Sequence, residues 1–143
     1  MTASSPARLY AALVGGALVI AGIIGFFYDA SFETGDDLQA DAVLGILDVN
    51  GWHNLVHLTI GLLGLAAAGY AARTYALAVG LVYLILAIWG FFETEDGFGA
   101  LLDVVPVNTE DNFLHLILGL TGLAAGAATP KERSDRPRPA EPA

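Results

Sequence analysis

His57 and His115 are the residues of this chain best placed to do chemistry. Each follows an asparagine by three positions, in "NLVHLTIGLLGLAAA" from Asn54 and "NFLHLILGLTGLAAG" from Asn112, and each is otherwise embedded in an apolar run. Asn50 and Asn108 stand four residues upstream of that pair. Carboxamides and imidazoles inside an apolar segment cost desolvation unless they find partners. Four uses are open to them. They can bond to one another, to loop backbone or to trapped water, linking the loops to the helices, which is the primary expectation. They can form an outward-facing site for a small ligand or cation, which acidic loops would concentrate. His57 and His115 can ligate haem or a divalent metal, or the stripe can conduct protons.

The last two uses meet obstacles. A metal held by His57 and His115 lacks an evident third and fourth ligand, because Asp111 lies at the edge and His53 has no counterpart near His115. A close glycine contact between the helices would leave no room for a porphyrin, so no cofactor is expected. For a proton path, the first and third apolar runs carry no ionisable group other than tyrosine, with Tyr83 the one deep inside, and no relay crosses the chain.

The elements that must position these groups are legible in spacing. Asn54, His57, Gly61, Gly64 and Ala68 recur at intervals of 3, 4, 3 and 4 residues, one face of a helix. Asn112, His115, Gly119, Gly122 and Gly126 repeat that face, and Val49 to Ala68 aligns with Val107 to Gly126 without gaps at an offset of 58. The small residues are packing surface, since Gly and Ala let helix backbones approach. Looser repeats flank them: "GFF" closes one run at Gly25 to Phe27 and another at Gly90 to Phe92, each followed by acids and a short apolar segment.

Four apolar runs, at about 9–28, 52–72, 75–92 and 112–128, have the length that crosses a ~30 Å hydrocarbon core. The expected fold is all-α, an integral membrane four-helix bundle of two tandem helix-loop-helix repeats about a pseudo-two-fold axis along the membrane normal. The six basic residues, Arg8, Arg73, Lys131, Arg133, Arg136 and Arg138, all fall on one side of that bundle. By the positive-inside rule both termini are cytoplasmic, in a cell membrane crossed four times. Loops 29–51 and 93–111 hold twelve of the fifteen acids and face outward. Their apolar segments, Ala42 to Leu47 and Phe98 to Val105, are expected at the outer interface as short helices or hairpins, the alternative being a longer span kinked at Pro106.

Residues 1–8 and 129–143 flank the membrane domain, 9–128, and are expected to be disordered. The first run could instead serve as a cleaved signal peptide, but about 20 apolar residues exceed the usual ~7–15 of such a segment. Composition supports the bilayer as partner: 55% of residues are hydrophobic and the mean hydropathy is +0.61. A homo-oligomer or a larger membrane complex is a further expected assembly. The absence of cysteine removes disulfides and thiolate chemistry. A net charge of −9 without a basic aromatic patch argues against nucleic acid. No serine is placed near a base and no glycine loop cradles phosphate, so the chain is not expected to be an enzyme.

At "GILDVNGWHNLVHLTIGLLGL" and "VVPVNTEDNFLHLILG" the chain resembles a domain-of-unknown-function family of small four-span membrane proteins of bacteria and archaea. The resemblance covers roughly Leu9 to Ala128. It implies four helices, outward loops and paired Asn/His motifs at Asn54, His57, Asn112 and His115, and it brings no activity. The strongly acidic loops depart from what it implies.

Overall fold

A computed structural model describes residues 4–131. The expected disorder of 1–3, and of the tail from 132 onward, lies outside the described residues. The chain runs α1 (Pro6–Tyr28), β1 (Asp41–Val43), β2 (Leu47–Val49), α2 (Gly51–Ala67), α3 (Ala72–Glu93), β3 (Gly99–Leu101), β4 (Val105–Val107) and α4 (Thr109–Ala128). Helix α1 starts three residues before the expected boundary, because Ser5 accepts from the Arg8 N–H and Pro6 occupies the first turn, where its missing N–H costs nothing.

The all-α expectation needs correction: both long loops fold into antiparallel two-stranded hairpins, β1–β2 and β3–β4. Each turns through two consecutive residues of positive φ, Leu44 and Gly45 in one, Leu102 and Asp103 in the other. Bonds from Ile46 N–H to the Val43 carbonyl and from Val104 N–H to the Leu101 carbonyl close turns of the type that suits strand twist. Pro106 therefore kinks no helix. It lies in β4, where a two-stranded ribbon leaves one side unpaired and tolerates a residue without N–H.

Helix α1 packs chiefly on α2, and α3 on α4. The glycine stripes of α2 and α4 do not face each other, as close contact between those two helices would require. A Cβ at Gly61 would stand 2.7 Å from the Gly15 carbonyl oxygen on α1, and one at Gly119 would stand 2.7 Å from the Leu84 nitrogen on α3. Gly126 likewise meets Leu77 of α3. Tyrosines join the two pairs. Tyr10 of α1 donates to the Leu118 carbonyl of α4 at 2.9 Å, lying over Gly122, and Tyr75 of α3 donates to the Ile60 carbonyl of α2 at 3.0 Å, lying over Gly64.

The interior is rich in small and polar residues, with Tyr10, Tyr75 and Tyr83 among them. Ala7, Ala11, Ala76, Ala87, Asn50, Asn54 and Asn112 are fully buried, whereas Leu13, Leu62, Phe27 and Phe92 are 57–85% exposed. Among the described residues two helices, α1 and α3, are long and apolar enough to cross a membrane.

Candidate functional site

Four asparagines and three histidines gather at the hairpin end, and they do different work. Asn50 caps α2 by accepting from the His53 N–H at 2.9 Å, and Asn108 caps α4 by accepting from the Asp111 N–H at 2.8 Å. Their amide nitrogens then cross over. Asn50 Nδ2 donates to the Val104 carbonyl in the second hairpin, and Asn108 Nδ2 donates to the Ile46 carbonyl in the first. Each hairpin tip is held by the helix cap of the other half.

Asn54 and Asn112 lie one turn further in, where they bond neither to each other nor to a histidine. Asn54 Nδ2 donates to the Asp29 carbonyl at 2.8 Å and Asn112 Nδ2 to Thr94 Oγ1 at 2.8 Å, so each ties its helix to the end of the preceding long helix. The carboxamide oxygens press on Gly25 and Gly90, and a Cβ at either glycine would overlap them. Neither oxygen has a hydrogen-bond partner among the described residues. The matched glycines were visible as the ends of two apolar runs, but their task of admitting an asparagine was not.

The histidines converge instead. His53 and His57 lie one turn apart on α2, with Nε2 to Nε2 at 3.1 Å and ring centroids 4.4 Å apart. The ring centroid of His115 on α4 lies 6.2 Å from that of His53 and 5.1 Å from that of Tyr83 on α3, tilted against both. One potential ligand nitrogen from each histidine lies within 4.8 Å of the others. His53, set aside because the second half has no histidine at its place, thus supplies the third member. Its spacing from His57 carried the signal, since residues i and i+4 share a helix face. Haem does not fit this arrangement: His53 Nε2 already occupies the direction that His57 Nε2 would offer to iron.

The asymmetry at His53 has a local cause. At the offset of 58 its partner is Asp111, whose Oδ2 accepts from the backbone N–H of Asp48 at 3.0 Å and of Asn108 at 3.1 Å. The residue aligned with Asp48 is Pro106, which has no N–H to offer a carboxylate. An acid at position 53 would lack that cross-hairpin donor, and the histidine there is free to meet His57. Asp111 precedes the apolar run of α4. Burial pushes its carboxyl up to about 7 against the pull of the Asn108 and Asp48 N–H groups, with the Asp48 and Glu110 charges adding to the rise. Burial also raises the Asp48 carboxyl, while its hydrogen bond with Asn108 opposes the rise.

Two apolar cavities flank the cluster. One of about 220 Å³ between α2 and α3 is lined by His53, His57 and Tyr83, and another of about 340 Å³ between α1 and α4 is lined by His57 and His115. At the opposite end, Arg8, Arg73 and Lys131 surround a third, of about 260 Å³.

Four helices with a polar and glycine-rich interior, capped by two hairpins, define a helical domain with a histidine cluster at one end. The chain belongs to the family described as Domain of unknown function (DUF4383), whose family model matches residues 8–128. No curated protein and no solved structure matches the chain.

Proposed function

We propose that this is an integral membrane protein of four spans, an accessory or structural component rather than an enzyme, built from two parallel repeats with both termini in the cytoplasm. The inverted burial pattern carries this reading: glycine, alanine, tyrosine, asparagine and histidine make up most of the interior, Leu18 and Leu101 being buried among them, while most leucine, isoleucine and phenylalanine side chains face outward. In water such a surface would be an aggregation liability, and against lipid it is the solvated one. The 17 residues of α2 and the apolar run 112–128 of α4 each extend about 25 Å, close to the thickness of the hydrocarbon core. The basic cavity of Arg8, Arg73 and Lys131 suits the cytoplasmic end. At the other end, Leu44 and Leu102, 77% and 74% exposed at the hairpin tips, suit the outer interface.

Within this reading the asparagines are structural, fastening outer hairpins to spans, and the lipid bilayer is the partner. A homo-oligomer or a larger membrane complex would employ the outward apolar faces. The chain has no cysteine, so topology can be read by introducing one at a time. Cysteine in place of Asp36 or Asp96 should react with an impermeant maleimide in intact cells, and cysteine in place of Thr74 only after permeabilisation. Equal labelling of all three in intact cells, or release of the protein by alkaline carbonate, would overturn the four-span arrangement.

A further inference from the structure

The histidine cluster asks for more than a structural role. We infer that His53, His57 and His115 form a binding site for one divalent first-row transition ion of the zinc class. Three observations carry this. At zinc–nitrogen distances of about 2.0–2.1 Å, tetrahedral ligands stand roughly 3.3 Å apart. The His53 and His57 Nε2 atoms are 3.1 Å apart, and the whole set lies within 4.8 Å, so the third imidazole closes the site with a shift of one to two ångströms. The Nε2 to Nε2 contact requires a lone pair on at least one ring, and the lone pair is the ligating form. Finally, His115 Nδ1 and the Tyr83 hydroxyl are buried beside the set without a hydrogen-bond partner among the described residues, and Tyr83 is only 1% exposed. Buried polar atoms left unpaired are uncommon in folded proteins. A bound ion with its water would give both a partner.

The donor set narrows the ion. Three imidazoles suit zinc, cobalt, nickel or copper in preference to magnesium or calcium, which take oxygen ligands. Three protein ligands leave a fourth position open to water or another small donor, and the cavities beside His57 give it room. The helices hold two of the ligands rigidly, because the Asn50 cap accepts from the His53 N–H and His57 is one turn on. The third rides on α4, whose first turn is clasped through Asn108 and Asp111. The site stands on side-chain geometry and is independent of membrane topology.

The test uses the full chain, solubilised in detergent, stripped with a chelator and titrated with Co²⁺ alone. One equivalent should produce the intense visible bands of tetrahedral cobalt, and Zn²⁺ should displace it while raising the melting temperature. His57→Gln and His115→Gln should each weaken binding by at least about 100-fold, more than the ~10–100-fold cost of losing an outer partner of a ligand. Circular dichroism of the variants confirms that they remain helical. A wild-type protein that shows no tetrahedral band and no zinc-dependent stabilisation would overturn the site without reference to any variant. So would binding that survives both substitutions in helical protein, since that would place the ion on the acidic loops.

Discussion

At the scale of single residues, Asn54 and Asn112 each fill the space that a glycine, Gly25 or Gly90, leaves open. Asn112 is accommodated because residue 90 has no side chain, so Gly90→Ala should cost about 1–3 kcal/mol through overpacking. Gly25→Ala should do the same against Asn54. Gly16 has nothing within 4 Å of an added Cβ. Gly16→Ala should be neutral or mildly stabilising through helix propensity, and unfolding curves of the three variants would show whether crowding against asparagine is the cause. Asp111 makes a second expectation, on pH. Its carboxyl is raised from 3.8 to about 7 in the folded chain, so between those values the folded protein keeps a proton that the unfolded chain has released. Its contribution to stability is therefore full below pH ~4 and lost as the pH rises through ~7. The melting temperature should fall over that window, and Asp111→Asn should flatten the fall. An unchanged slope in the variant would show that other groups cause it.

At the scale of elements, the hairpins and the helix caps form one unit across the two halves. Asn50→Ala and Asn108→Ala each remove a cap and a cross-hairpin bond, and each should cost about 1–3 kcal/mol. Because the two bonds hold adjoining turns, the double variant should depart from additivity by more than about 0.5 kcal/mol. Purely additive losses in a double-mutant cycle would mean that the hairpins are held independently. Spacing exposed the helices and both asparagine stripes, since a 3-4 interval survives in any apolar run. It could not expose the crossover, because Asn50 and Val104 meet only when two hairpins pack together. Nor did it assign a direction to the glycine stripes: Gly61 and Gly119 look alike whether they face each other or their chain neighbours α1 and α3. His53 was missed for another reason. Attention to matched positions discounts an unmatched one, although its i, i+4 relation to His57 was plain in "HNLVH".

For the whole molecule, the distribution of residues is the informative quantity. In the proposed four-span arrangement, a chain that buries asparagine and histidine while exposing phenylalanine keeps its polar contacts away from water and draws its cohesion from close backbone approach and a few specific bonds. Helix number and rough boundaries followed from hydropathy alone. The hairpins were open between two forms in the sequence, because short apolar segments rich in Leu and Val suit both an interfacial helix and a strand, and the left-handed turn at Leu102 and Asp103 carries no glycine to announce it.

The crossed caps also impose an order in time. Asn50 waits 54 residues for its acceptor at Val104, and Ile46 waits 62 for its donor at Asn108. At a synthesis rate of roughly 5–20 residues per second, Asn50 and Ile46 each stand unfastened for about 3–12 s after they are themselves added to the chain. Any factor that accompanies this protein during its production meets it in that interval, with one hairpin formed and its latch still unmade.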